Sequence, residues 1–256
     1  MKPSQLIHDV RVEVEKPFKE KLEQTRKLLR LFARNEDSCV ACSFGKDSIV
    51  VTFLALEVNP KIKVCFGDTG IEFPETVKLV RTLRDFWNLD LSVLKPQTTF
   101  WKINDKIKSE KLRLDDGRKH SDICCYHLKE KPFKLWAKSL GIKRTITGIT
   151  ATESRHRMFV ACKKGSEYYS FRDGFWKVHP ILYWTEQEVW DYIKDNHLPI
   201  NEAYEKYGLD RIGCMWCMSH QGWREQIARI NPRVYTYMVN RYFPQKVLEV
   251  EEQSKP

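Results

Sequence analysis

One hydroxyl-rich loop and two cysteine pairs are the residues best suited by type and spacing to do chemistry. The loop reads Ser43-Phe44-Gly45-Lys46-Asp47-Ser48 and runs into an apolar stretch. Small hydroxyl residues and a glycine let the backbone turn sharply, so that N–H groups at a helix N-terminus face an anion. Lys46 adds a full positive charge. The loop is not a Walker A motif, because its glycine spacing differs and no Ser or Thr directly follows the lysine. An ordinary strand-to-helix turn has a similar composition, so the hexapeptide alone leaves both readings open. A second small polar loop, Asp68-Thr69-Gly70, follows the next apolar run and can approach a nucleotide closely. The cysteines are Cys124-Cys125 and Cys214-Met215-Trp216-Cys217. Two residues between thiolates let both sulfurs face one metal centre, and two such pairs make a four-sulfur site. Adjacent ligands strain a single-ion site because consecutive side chains diverge, while a cubane with separated irons tolerates them. Zinc, an iron-sulfur cluster and unrelated buried thiols all remain open on spacing.

Between the cysteine pairs, residues 148–157 include Gly148, Glu153, Arg155 and Arg157, and two arginines after a strand suit phosphate or sulfate. A solvated charged loop would read the same way. His179, beside Pro180, reads as a structural histidine. Cys39, Cys42 and Cys65 sit in or next to strand-like runs and read as core residues. Cys162 is the remaining cysteine.

These residues need a scaffold, and the apolar pattern supplies one. Runs at 38–41, 62–66, 91–94 and 144–147 are strand-like, and 48–57, 75–87 and 126–140 carry helical periodicity. Strands and helices alternating at this interval predict parallel βαβ units in an open, mainly parallel α/β sheet with helices on both faces. Ligands of such a sheet lie beyond the carboxyl ends of its strands. Residues 11–34 predict an amphipathic helical lead-in. Residues 166–182 read as irregular β structure, and 185–196 and 221–242 as helices, the first with Thr185 and Glu188 as a capping box. The expected divisions are an N-terminal helical extension (1–35), a nucleotide-binding α/β domain (36–165) and a small, mostly helical C-terminal subdomain completing the metal site (166–256). There is no internal repeat and no Pro/Gly/Ser linker.

With 42% hydrophobic and 12% aromatic residues the chain can build a core, which excludes wholesale disorder. No stretch approaches the ~18 consecutive apolar residues of a membrane helix. The first residues, Met1-Lys2-Pro3-Ser4-Gln5, have no apolar signal core behind them, so no membrane partner and a cytoplasmic location are expected. The net charge of +10 concentrates anions such as nucleotides, nucleic acid or sulfated metabolites. The run Lys129, Lys131, Lys134, Lys138, Lys143 and Arg144 suits a nucleic-acid backbone or, equally, a solvated helix face.

The 43–48 hexapeptide resembles the Ser-Gly-Gly-Lys-Asp-Ser loop of the PP-loop, or N-type, ATP pyrophosphatases, which have the adenine nucleotide alpha hydrolase-like fold and grip the pyrophosphate of ATP. Phe44 in place of the second-position glycine looks like the phosphoadenylyl-sulfate (PAPS) and adenylyl-sulfate reductase branch, which generally lacks the Lys46-Asp47 pair. Asp68-Thr69-Gly70 and Phe73-Pro74-Glu75-Thr76 resemble the segment of that family that lies beside the adenosine. Cys124-Cys125-Tyr126, with Lys129 and Pro132 following, and Arg211-Ile212-Gly213-Cys214, with Cys217 closing the loop, resemble the two halves of a 4Fe-4S site in cluster-containing reductases and related sulfur-transfer proteins. The resemblance covers about residues 36–225.

The resemblance implies two chemistries and a third role. In the first, ATP with Mg2+ adenylates an acceptor such as DNA phosphate or a tRNA base, with Lys46, Asp47 and Ser48 acting on the departing pyrophosphate, and a sulfur nucleophile displaces AMP. Ser43, Phe44, Gly45, Asp68, Thr69, Gly70, Gly148, Glu153, Arg155 and Arg157 would line the nucleotide. A cysteine desulfurase or a thiol reductant protein would bring sulfur or electrons. In the second, a thiolate attacks the sulfur of adenylyl sulfate or PAPS and sulfite is released. The reductases place that thiolate in a C-terminal Glu-Cys-Gly-(Leu/Ile)-His segment, and this sequence has no cysteine after Cys217, which leaves Cys162 or an external protein for the role. The third role is a non-catalytic nucleotide-binding subunit of a sulfur-transfer complex. A homo-oligomer is compatible with all three.

Overall fold

The computed structural model describes residues 3–109, 120–217 and 222–242, with side chains described for 7–109, 122–217 and 222–242. The expected divisions therefore reach beyond it at residues 1–2, 110–119, 218–221 and 243–256. Six strands form one sheet: β1 (Ser38–Ala41), β2 (Lys63–Gly67), β3 (Asp90–Leu94), β4 (Arg144–Ile146), β5 (Glu167–Ser170) and β6 (Phe175–Val178). Their order is β3-β2-β1-β4-β6-β5. All neighbours are parallel except β5, which pairs antiparallel with β6 at the edge. The strand order reverses between β1 and β4, which opens a crevice beyond their carboxyl ends.

The period-2 alternation of each strand feeds two cores. Val40, Val64, Phe66, Ile146 and Val178 pack on one face with the helices Phe18–Phe32, Lys46–Val58, Pro74–Phe86 and Glu186–Asp195. Cys39, Cys65 and Phe175 point to the other face, against Phe133, Trp136 and Ala137 of the helix Lys131–Ser139. Cys39 and Cys65 are thus core residues, as expected. The capping box is also present: Thr185 Oγ1 accepts the Glu188 N–H at 3.2 Å and a Glu188 carboxylate oxygen accepts the Thr185 N–H at 2.7 Å.

Four spans differ from the sequence expectation, one of them the predicted helix 126–140, which begins as a π-helical turn, Tyr126–Glu130, before the helix Lys131–Ser139. The lead-in is two helices, Pro3–Glu15 and Phe18–Phe32, because Pro17 cannot donate into a helical ladder and keeps the residue before it out of helical geometry. The last helix divides at Pro232 for the same reason, into Trp223–Ile230 and Pro232–Tyr242. Residues 166–182 are not a separate β region, since β5 and β6 extend the main sheet and β6 lies directly beside β4.

The chain divides into two compact units, and their boundaries do not follow the expected order along the sequence. The first comprises residues 1–67, 74–94 and 133–212 and holds the sheet. The second comprises residues 68–73, 95–132 and 213–256. Its core joins Ile71, Phe100, Ile103, Ile123, Leu128, Ile227 and Met238, tied by a bidentate Arg241–Asp105 pair at 3.0 and 2.8 Å. Among the described residues no helix is long and apolar enough to cross a membrane.

Candidate functional site

In the sheet unit, the 43–48 loop leaves the end of β1 and enters the helix Lys46–Val58 with Gly45 as its N-cap. Phe44 takes the left-handed conformation (φ 58°) in which glycine is usual. Its ring is fully buried edge-to-face on Phe66, with centroids 5.5 Å apart, and its N–H points to the Cys42 sulfur at 3.4 Å. Burial of the ring offsets the backbone strain, so a phenylalanine holds the turn where a glycine would bend freely. Ser48 Oγ donates to the Gly45 carbonyl at 2.9 Å and lies 3.2 Å from Ser43 Oγ, which fixes the loop from inside.

Lys46 is only 6% exposed, and its ammonium lies 3.4 Å from Asp47 and 3.3 Å from Glu186. Burial alone would pull its pKa down, but the charges of Asp47, Tyr204 and Glu186 hold it above the ordinary lysine value. Burial raises the Asp47 carboxyl, against the opposing pull of Lys46. The Lys46 N–H donates to the Tyr204 hydroxyl at 2.9 Å. Gly148, past the end of β4, closes the crevice. A Cβ there would stand 2.5 Å from the Asp47 carbonyl oxygen and 2.7 Å from the Ser48 nitrogen. Arg157 pairs with Glu153, while burial and the neighbouring charge of Arg211 lower its pKa and Asp47 opposes them. Arg155 is exposed in the first turn of the helix Arg155–Lys164. The sheet unit therefore gathers Ser43, Phe44, Gly45, Lys46, Asp47, Ser48 and Gly148 closely, with the guanidinium of Arg157 in electrostatic reach of Asp47.

Asp68, Thr69 and Gly70 belong to the other unit. The Asp68 carboxylate accepts the Gly70 N–H at 3.0 Å, and Thr69 Oγ1 donates to Glu72 at 2.7 Å while lying 3.5 Å from the Cys214 sulfur. Thr69 thus stands beside a sulfur ligand candidate. The loop Cys214–Cys217 is closed by the Cys217 N–H on the Cys214 carbonyl at 3.2 Å and tied to Ile71 by the Met215 N–H at 2.8 Å. Cys124 and Cys125 end the helix His120–Cys125 and lead into a π-helical turn, Tyr126–Glu130, an irregularity common at functional sites. All four cysteines are free thiols. Burial and then the charges of Cys125, Cys214 and Cys217 push the Cys124 thiol up to about 12. The Cys214 thiol is pushed up to about 11 by burial, against the charge of Lys129. Burial opposes the Lys129 ammonium, but Cys214, Glu72 and Cys125 hold it above the ordinary lysine value.

Four thiols within electrostatic reach of one another stay protonated unless a cation binds them, and soft sulfur donors of this kind select zinc or iron-sulfur. The indole N–H of Trp216, inside the Cys214–Cys217 loop, is buried with no acceptor among the described residues. A sulfur-rich centre would offer such an acceptor, and the four cysteines are donors of the type it takes. Among the described residues no three of His, Cys, Asp and Glu close round a single ion.

The phosphoadenosine phosphosulfate reductase domain model matches residues 37–220. The chain belongs to that family. An adenosine 5'-phosphosulfate reductase of Staphylococcus epidermidis is 32% identical over 187 residues, 72% of this chain and 71% of that protein. One from Bacillus cereus is 32% identical over 182 residues, 69% of this chain and 71% of its own length. Among solved structures, the phosphate complex of a PAPS reductase from Candida auris has a TM-score of 0.58 at 21% identity, covering 84% of this chain and 96% of that one. A U34-tRNA thiolase of Methanococcus maripaludis, solved with its [4Fe-4S] cluster, has a TM-score of 0.53 at 14% identity, covering 90% of this chain and 80% of that one. Both likenesses establish the adenine nucleotide alpha hydrolase-like fold for this family member.

Several site residues carry no sequence signal of their own. Tyr204 lies in a polar stretch without a motif, and Glu186 reads as a first-turn acid of a capped helix. Thr69 reads as part of a nucleotide loop and not as a neighbour of a cysteine, and Glu72 stands in no motif. The basic run is broken up by its partners: Lys134 pairs with Asp173 at 2.8 Å, Arg144 pairs with Asp37, and Lys129 serves the cysteines. Lys131, Lys138 and Lys143 are exposed. Cys162 is half-buried in an apolar cluster with Ala151, Ala161 and Leu182.

His179 is structural. It is 4% exposed at the end of β6 and shares a 2.7 Å hydrogen bond with Thr147 Oγ1. Burial, followed by the charges of Lys177 and Arg157, pushes its pKa down to about 4. The unfolded chain, with histidine near 6.5, binds more protons between these values, so stability is full above pH 6.5 and falls as the pH drops towards 4. Urea unfolding from pH 7.5 down to 4.5 is expected to show a loss of about 3 kcal/mol at most from this residue. His179→Gln should flatten that slope, and an unchanged slope would move the acid sensitivity elsewhere.

Proposed function

We propose that the protein is an ATP pyrophosphatase that adenylates an acceptor oxygen for sulfur insertion. The observation that carries the reading is Lys46, an ammonium buried at a helix N-terminus beside Gly45 and Ser48 and backed by Gly148. The acceptor oxygen attacks the α-phosphorus of ATP, pyrophosphate leaves into the 43–48 loop, and a sulfur nucleophile then displaces AMP. Lysine and backbone N–H donors stabilise the charge that develops on the leaving group. Asp47 sets the ammonium's direction and Ser48 the loop's shape. Mg2+ would accompany the nucleotide phosphates. Cys124, Cys125, Cys214 and Cys217 would hold a 4Fe-4S cluster, which when bound supplies a Lewis-acidic iron able to hold a sulfur atom. Lys129 would balance its charge. The net charge of +10 favours a nucleic-acid acceptor, DNA or tRNA, and a cysteine desulfurase or thiol protein would supply sulfur.

A second reading, reduction of adenylyl sulfate or PAPS to sulfite, is favoured by the names of the reductase relatives and by Phe44. One anaerobic experiment on reconstituted protein separates the two. Pyrophosphate and AMP are measured from ATP with and without DNA or tRNA, and sulfite from adenylyl sulfate and PAPS with a thiol reductant. Pyrophosphate without sulfite supports the first reading, and sulfite without pyrophosphate overturns it. Lys46→Ala is expected to lower pyrophosphate release by about a hundredfold or more, as for the loss of a transition-state donor, with the iron content unchanged. Wild-type turnover in that variant would remove the loop from the mechanism.

A further inference from the structure

The Tyr204 hydroxyl meets the phosphate loop at its most anion-seeking point, and nothing in the motif predicts it. Its oxygen accepts the Lys46 N–H at 2.9 Å, one of the helix N-terminal donors that an oxyanion would otherwise take. A Cβ built on Gly45 would lie 3.2 Å from the same oxygen and 3.6 Å from Ser43 Oγ, so both hydroxyls border the turn of the loop. A phenol that accepts one hydrogen bond keeps its own proton to give. No acceptor takes that proton among the described residues.

Tyr204 is also held in place with unusual care for a residue of a five-residue helix, Ala203–Tyr207. Its ring packs edge-to-face on Trp190, centroids 5.3 Å apart. The turn before it is fixed by the buried Asn201, which donates to Thr76 Oγ1 at 2.7 Å and accepts the Ala203 N–H at 3.0 Å. The turn after it is fixed by Glu75, which accepts from Lys206 at 2.5 Å and from the Tyr207 hydroxyl at 3.0 Å. Two neighbouring elements thus pre-organise one hydroxyl, and pre-organised donors are what an oxyanion site requires.

We infer that Tyr204 is a phosphate ligand of the 43–48 loop: its oxygen stays on the Lys46 N–H and its proton is donated to an oxygen of the bound pyrophosphate group. The amide polarises the phenol, so the helix N-terminus acts on the anion through the hydroxyl. The inference rests on the pyrophosphate-gripping reading of the loop and adds a donor that distinguishes ligands by their phosphate chain. Inorganic pyrophosphate and ATP use it, and AMP does not.

The test is calorimetric titration of the full chain with inorganic pyrophosphate and, separately, AMP. Tyr204→Phe keeps the ring on Trp190 and removes only the hydroxyl. Its affinity for pyrophosphate should fall about ten- to a hundredfold, the range for one hydrogen bond to a charged group, with AMP affinity unchanged within about twofold. Tyr204→His, which keeps a polar N–H at the ring edge, should recover part of the loss. A thermal melt of each variant guards against misfolding. Unchanged pyrophosphate affinity in Tyr204→Phe, or equal losses for both ligands, would overturn the inference and leave Tyr204 as a packing residue. A wild-type protein that binds AMP but no pyrophosphate would instead overturn the reading of the loop itself, and the inference with it.

Discussion

On the proposed pyrophosphatase reading, Gly148→Ala is expected to lower ATP-dependent pyrophosphate release about a hundredfold while leaving a folded protein. The added methyl would lie 2.5 Å from the Asp47 carbonyl oxygen, 2.6 Å from its carbon and 2.7 Å from the Ser48 nitrogen. All three are backbone atoms in the first turn of the helix Lys46–Val58, so no side chain can swing aside to make room. The clash must be relieved by moving either the end of β4 or the loop after β1, and those strands are paired at Val40 and Ile146. The loop is the softer of the two. Overpacking of this kind costs about 1–3 kcal/mol, which a domain of this size survives. A displacement approaching 1 Å at the phosphate-gripping atoms costs about a hundredfold in rate. Gly141→Ala is the matched control: Gly141 has φ 65° and nothing within 4 Å of where its methyl would stand, so that variant should lose about 1–2 kcal/mol to backbone strain and keep its turnover. Steady-state pyrophosphate release and urea unfolding on both variants check this. Equal activity in the two would mean that the loop yields without consequence.

The same close approach shows where sequence reasoning reaches and where it stops. The strands at 38–41 and 144–147 can be read from apolar runs, and the loop after the first from its residue types, because both are local properties of the chain. That Gly148 must be glycine is not local, since the clash is with residues about a hundred positions earlier. Tyr204 and Glu186 are invisible for the same reason: a lone tyrosine and a first-turn acid become site residues only when the chain brings them to Lys46. The cysteine pairs are legible by spacing, yet the role of Thr69 is not. Asp68-Thr69-Gly70 has the composition of a nucleotide loop, and composition does not say that Thr69 faces a sulfur. The 166–182 stretch reads correctly in its type and wrongly in its company. It reads as β structure, but pairing with β4 is a long-range choice that short apolar runs do not encode.

With the four cysteines holding a cluster as proposed, Cys214→Ser is expected to empty that site and loosen the unit that carries it. Cys214 is held from three sides: Thr69 lies 3.5 Å away, Glu72 accepts from it at 3.8 Å, and Lys129 is drawn to it from the π-helical turn. A serine oxygen is a poor match for iron or zinc at a soft site, and its hydroxyl cannot neutralise Lys129 as a metal-bound thiolate would. Anaerobically reconstituted wild-type protein should carry about four irons per chain with the brown absorbance of a cluster, and the variant should retain well under one. Because the same loop is tied to Ile71, proteolysis should then cut first within residues 213–242, before the sheet unit is touched. Cys39→Ser supplies the contrast. Cys39 is fully buried in the sheet's second core, so its loss should lower stability without changing the iron content. Stoichiometric zinc and no iron in the wild type would replace the cluster by a zinc site on the same donors. Iron retained in full by Cys214→Ser would remove Cys214 from the donor set.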